Sequence, residues 1–154
     1  MKALIIATTL LLLQSCSPPN KGQFDFVFKF GVGGKNELNT FDNTFTKDLV
    51  MDPPQKLALK LTAEEKQTIY NKLQEIDFSQ MAEEELPCSG AQPHSTCKLV
   101  VNMNGHQKTV AWSGSDNPAD STCVKLAGLQ QLIISIIFNR DEYKHAKPIR
   151  GGYL

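Results

Sequence analysis

The chain carries no excess charge of either sign: lysine and arginine together number 16 in 154 residues, and so do aspartate and glutamate. Nucleic-acid binding draws on a basic surplus that displaces counterions from phosphates, so no nucleic-acid partner is expected. Tryptophan occurs once and histidine three times. No internal repeat or low-complexity segment is present, and no unbroken apolar stretch reaches the ~20 residues that a helix needs to cross a bilayer. The few histidines and cysteines match no zinc spacing: Cys88, His94 and Cys97, with His106 or Cys123 as a fourth ligand, are too irregularly placed. Gly31-Val32-Gly33-Gly34-Lys35 lacks the four residues between glycines and the Ser or Thr after lysine that a phosphate loop requires. Asp42, Asp48, Asp52 and Glu37 do not form the alternating acidic run of a calcium loop. Cys123, read at a helix start, would gain thiolate character there, but nothing in the sequence sets His94, His106 or His145 beside it. No catalytic residue, no metal and no cofactor is therefore expected.

What the sequence does have begins at its N-terminus. Met1-Lys2 supplies one positive charge, and Ala3 to Leu13 is an uncharged, mostly aliphatic run. Eleven residues suit the apolar region of a signal peptide. Leu13-Gln14-Ser15-Cys16 follows directly. This resembles the lipobox of bacterial lipoproteins, with leucine three before the cysteine and a small residue just ahead of it. The resemblance implies cleavage between Ser15 and Cys16, and acylation (palmitate among the chains) of Cys16 and of the new amino terminus. Ser17 in place of aspartate implies, for a Gram-negative cell, the outer membrane facing the periplasm. The expected partner is thus a membrane, held through lipid at Cys16. Ser17-Pro18-Pro19-Asn20-Lys21-Gly22 reads as a short extended tether. The expected organisation is a signal peptide over 1–15, a lipidated cysteine and tether over 16–23, and one domain over 24–154. Removing the first 15 of 154 residues leaves 139, enough for one domain with a proper core.

Three cysteines remain in the exported chain, where disulfides form readily. Cys88 and Cys97 bracket a short loop and are the expected pair, with Cys123 buried as a small apolar residue. The alternative is that Cys123 takes one of the other two as its partner.

Phe24, Phe26, Phe28 and Phe30 alternate with Asp25, Val27 and Lys29, the period of a strand with one aromatic face. Gly31 to Asn36 forms a turn. Phe41 to Leu49 reads as a second strand, with Phe41, Phe45 and Leu49 inward and Thr40, Asp42, Thr44 and Thr46 outward, paired with the first through a long loop. Asp52-Pro53-Pro54 breaks the pattern, and Leu57, Leu59 and Leu61 give a third strand. Thr62-Ala63-Glu64-Glu65 matches a capping box, opening a helix whose Ile69, Leu73 and Ile76 share a face. Met81 to Thr96 reads as a loop with an acidic peak at Glu83-Glu84-Glu85.

Asn104-Gly105 predicts a hairpin turn. Its register pairs Met103 with His106, Val101 with Lys108, Leu99 with Val110 and Cys97 with Trp112, and it makes Trp112 core. Asn117-Pro118 is expected to open a last helix running to near Tyr143, apolar over more than half its circumference and packed over most of its surface. Lys147 to Leu154 is an extended tail. The expected fold is α+β: an antiparallel sheet of about five strands with two helices on one face, in the order βββαββα.

The Thr40–Leu49 stretch, the Leu-Thr-x-Glu-Glu helix start, the Asn-Gly hairpin ending in Trp112 and the Glu142-Tyr143 to Gly151-Gly152-Tyr153-Leu154 tail are similar to those of a group of small, poorly characterised bacterial lipoproteins. That resemblance implies fold and location only. A lipid-anchored, non-catalytic module that binds an envelope protein is the expected function. Its candidate surfaces are Glu83-Glu84-Glu85, the Gly31–Asn36 turn and the Tyr153 tail, which could add to a sheet edge or pack on the domain itself. The alternative is a small envelope hydrolase, or an inhibitor of one.

Overall fold

The computed structural model describes residues 24–88, 95–114 and 120–153. Cys16, the tether, His94 and Asn117-Pro118 lie outside the described residues. The fold is α+β, as the alternating strands and amphipathic helices require. Among the described residues it is more elaborate than five antiparallel strands and two helices: seven strands form one mixed sheet, accompanied by three α-helices.

In chain order the elements are β1 (Phe24–Phe30), β2 (Asn36–Asn39), β3 (Thr44–Leu49), β4 (Asp52–Ala58), α1 (Ala63–Glu75), a 3₁₀ turn (Phe78–Gln80), β5 (Glu85–Pro87), β6 (Thr96–Met103), β7 (His106–Ser113), α2 (Ser121–Asn139) and α3 (Asp141–Lys144). The strands lie in the order β4-β3-β2-β1-β6-β7-β5. All neighbours are antiparallel except β5, which runs parallel to β7.

The phenylalanines of β1 behave as their alternation dictates. Phe24, Phe26, Phe28 and Phe30 are all buried, whereas Lys29 on the opposite face is exposed. They share one core with Leu38, Phe45, Leu99, Val101, Val110 and Trp112 of the neighbouring strands, and with Ile69 and Leu73 of α1 and Leu126, Leu129, Ile133 and Ile137 of α2. Both long helices therefore cover the same sheet face. At ~25 cal/mol per Å² of apolar surface, this continuous layer is the main stabilising contribution.

The second expected strand is two strands. β2 and β3 pair through a turn over 40–43, and β2 rather than β3 lies beside β1. With four residues and one buried side chain, Leu38, β2 is too short to show a period of two. Phe41 consequently sits at a turn tip and is 49% exposed, while Thr40, expected outward, is buried. The Thr40 hydroxyl takes the Phe26 N–H at 2.8 Å and donates to Asp25 Oδ1 at 2.9 Å, an extra clasp between β1 and the turn.

Asp52-Pro53-Pro54 does not interrupt the sheet. These residues begin β4, an edge strand, where proline's missing N–H costs no ladder bond. Leu59 and Leu61, expected in a strand, follow β4 and fold into the core. The expected loop from Met81 contains β5, whose three residues are too few to show periodicity.

The capping box forms as read. Thr62 Oγ1 accepts the Glu65 N–H at 3.1 Å, and Glu65 Oε2 accepts the Thr62 N–H at 2.7 Å. Thr62→Ala is expected to cost about 1 kcal/mol of stability, measured by urea denaturation.

The Asn104-Gly105 hairpin has the expected register throughout. Both turn residues have positive φ, 53° and 80°, as a type I′ turn demands.

α2 opens at Ser121, later than Asn117-Pro118, with Asp120 as its N-cap. It ends at Asn139 rather than near Tyr143, because Arg140 turns extended before the short α3. By length and composition α2 could cross a membrane. Here a stripe of Cys123, Leu126, Leu129, Ile133 and Ile137 packs into the core. The helix is covered on that stripe rather than over most of its surface: Leu132, Ile134 and Ile136 are partly buried, and Val124 and Phe138 are exposed.

Candidate functional site

The expected Cys88–Cys97 disulfide is not formed; Cys88 is bonded to Cys123, with 5.4 Å between their Cα atoms. The sheet explains the change. Leu86 pairs with Trp112, and Trp112 pairs with Cys97. β7 therefore separates the strand leading to Cys88 from the strand carrying Cys97. Two strand spacings are ~9.5 Å, beyond the ~7 Å that a disulfide spans between Cα atoms. The first turn of α2 instead delivers Cys123.

Cys97 remains a free thiol with no exposed surface. It donates to Gln130 Oε1 at 3.3 Å, and Trp112 Nε1 donates to the same oxygen at 3.1 Å. Burial pushes the thiol pKa up to about 12, with the Gly31 backbone acting weakly in the opposite direction. An activated nucleophile requires a lowered pKa, so Cys97 fits a packing role.

Two of the three candidate surfaces come together at one end of the sheet. Lys35, in the glycine turn, donates from Nζ to the Tyr153 hydroxyl at 2.9 Å and lies over its ring at 4.5 Å. That hydroxyl donates to Asp48 Oδ2. Asp48 is buried because a bulge between Lys47 and Leu49 brings three successive residues of β3 under cover. The hydrogen bond to Tyr153 raises the Lys35 pKa.

The rest of the tail is fastened along β4. Lys47 Nζ donates to the Lys147 carbonyl at 2.8 Å and sits over the Tyr143 ring, and burial lowers its pKa. The Lys147 N–H reaches Gln55 Oε1 at 2.9 Å, and Arg150 grips Asp52 with contacts from 2.6 Å. Gly151 has φ +79°, a conformation that strains any other residue, and a Cβ there would also push on Met51 Sδ at 2.8 Å. The tail thus packs on its own domain. Met51, 75% exposed, and Ile149, 50% exposed, border it.

The third surface, Glu83-Glu84-Glu85, lies at the opposite edge of the sheet. There Glu83 approaches Lys108 at 3.8 Å.

A cleft of about 520 Å³ is lined by Glu65, Asn139, Arg140, Asp141 and Glu142. Its guanidinium is engaged on every side. Arg140 meets Glu142 at 3.0 Å, Glu65 at 3.4 Å and the Lys60 carbonyl at 3.2 Å. The bond to Glu142 raises the Arg140 pKa, and the same contact lowers that of Glu142. These carboxylates serve as ion-pair partners and helix cap.

The acids considered for calcium are also separately engaged: Glu37 with Lys29, Asp42 with Asn39, Asp48 with Tyr153 and Asp52 with Arg150. Among the described residues no group of three or more His, Cys, Asp or Glu converges on a metal position. His106 and His145 are exposed. Cys16 lies outside the described residues, as does His94.

No protein-family model matches the chain, and no curated protein shows significant similarity to it.

Proposed function

We propose that this chain is a lipid-anchored cell-envelope protein whose domain binds another envelope protein. The uncharged run Ala3–Leu13 closed by Leu13-Gln14-Ser15-Cys16 carries the reading. Lipid on Cys16 supplies ~0.8 kcal/mol per buried methylene, and more than one acyl chain holds a domain stably. In a Gram-negative cell, Ser17 points to the outer membrane and the periplasmic face.

The end of the sheet where the glycine turn, Met51, Ile149 and the Tyr153 tail meet supports the binding role. Exposed aliphatic side chains stand there beside Lys35 and Lys147. The carboxylates of the Arg140 cleft are held in ion pairs, which favours binding over hydrolysis as the domain's activity.

Cys16→Ala is expected to move the protein from the membrane fraction to the soluble fraction, with an unchanged circular dichroism spectrum. A variant that stayed in the membrane fraction would remove the anchor. Photo-cross-linking from position 51 in intact cells is expected to capture a recurrent envelope protein; repeated capture of none would remove the binding role.

A further inference from the structure

The direction in which the chain enters the domain sets which end lies nearest to an anchor at Cys16. Phe24 is fixed at the start of β1. Its carbonyl accepts Lys66 Nζ at 3.3 Å, its ring meets Tyr70 edge-on at 5.7 Å, and it pairs with Met103 beside the Asn104-Gly105 turn. The 40–43 turn lies at this same end, because Thr40 is bonded to Asp25 and Phe26. So does the finish of α2, because Arg140 is bonded to Lys60 and Glu65. The two exposed phenylalanines among the described residues, Phe41 and Phe138, belong to this end. Phe41 borders an open cleft of about 390 Å³ with Asp25, Asn102, Asn104 and Gly105.

Lengths favour the same geometry. Eight residues, 16–23, separate the expected lipid from β1. Eight residues span at most roughly 28 Å. The opposite end of the sheet lies a further ~24 Å along β1. Bringing Met51 to the bilayer would require those eight residues to stretch close to that limit and double back along the domain, whereas Phe41 stands at the end where the chain enters.

We infer that the end bearing Phe41 and the Asn104-Gly105 turn rests on the lipid surface, with Phe41 in the headgroup region, while Met51, Ile149 and the Tyr153 tail face away. The inference rests on acylation of Cys16. The occupant is a phospholipid interface, into whose headgroup and acyl boundary an exposed apolar phenylalanine ring can enter. At this end Asp25 is paired with Lys66 at 2.6 Å and Arg140 with Glu65 and Glu142, while Asp42, Lys60 and Glu64 are exposed.

The test uses the full chain with Phe41→Cys or Met51→Cys, purified from membranes in lipidated form. Each protein is added to preformed vesicles of phosphatidylethanolamine and phosphatidylglycerol and treated with a membrane-impermeant maleimide. Disulfide-bonded Cys88 and Cys123 and buried Cys97 do not compete for the reagent. Asp42→Cys, in the same exposed turn, is a second probe of the tether end. On vesicles, labelling at 41 and 42 is expected to slow several-fold relative to the soluble Cys16→Ala forms, and labelling at 51 to stay as fast. Equal labelling at 41 and 51 on proteins that float with the vesicles would overturn the orientation and leave the anchor standing. Slowing at 41 already present in the soluble forms would point to self-association instead and would overturn it too. Failure of the unmodified full chain to float would remove the anchor, and the orientation with it.

Discussion

Cys123→Ala is expected to destabilise the domain by on the order of 3–4 kcal/mol, the chain-entropy value for a cross-link across a loop of this length. Cys88 and Cys123 are separated by 35 residues, and the loop between them contains the β6–β7 hairpin. The bond therefore ties the start of α2 to the strand edge across a whole structural unit. Domains of this size commonly have 5–15 kcal/mol in total, so the loss is a large share. Urea denaturation of the variant against the parent measures it, and Cys88→Ala should give a similar value because it opens the same loop. Thiol counting makes the assignment specific. Of Cys88, Cys97 and Cys123, the oxidised parent should expose one reactive thiol on unfolding, and peptide mapping should place it at Cys97. A label found at Cys123 would restore the Cys88–Cys97 pairing.

Trp112→Ala is expected to cost a comparable ~3–5 kcal/mol. Trp112 has no exposed surface, stacks on Phe28 at 6.1 Å between ring centres, and stands between Leu86 and Cys97 in the sheet. Its removal leaves a cavity where β1, β7 and α2 meet. It also removes one of the two donors to Gln130 Oε1, leaving the Cys97 thiol. Trp112→Phe keeps most of the ring contact and loses the N–H, for which ~1–3 kcal/mol is expected. Thermal or urea unfolding of the pair separates the cavity contribution from that of the hydrogen bond. Equal losses in the two variants would show that the hydrogen bond dominates.

The parts of the fold written in local chemistry were legible. Asn104-Gly105 specifies its turn from two residues, and alternation on either side then fixes every pair from Met103–His106 to Cys97–Trp112. The Thr62–Glu65 box and the phenylalanine alternation of β1 are equally local. Distant contacts decide the rest. Nothing adjacent to Glu85 announces a parallel partner at Ala111, and β2 is recognisable only from the strands beside it. Phe41 fits an alternating pattern with Phe45 and Leu49, yet a turn, not a strand, surrounds it. Loop length favours Cys97 as the partner of Cys88, while the intervening strand that excludes it is a tertiary fact. Of the candidate surfaces, the meeting of Lys35 with Tyr153 spans 118 positions and has no local signal. Cys16 is the reverse case: its signal is entirely in the sequence and outside the described structure.

The two edges of the sheet bear on how the domain behaves when crowded. β4 carries Pro53 and Pro54, which offer no N–H to a neighbour, and the tail is fastened beside it. β5 has only three residues, one of them Pro87, and follows two exposed glutamates. Neither edge is a template on which a second copy could continue the sheet. Molecules packed side by side at high density should therefore remain individual domains instead of polymerising strand to strand.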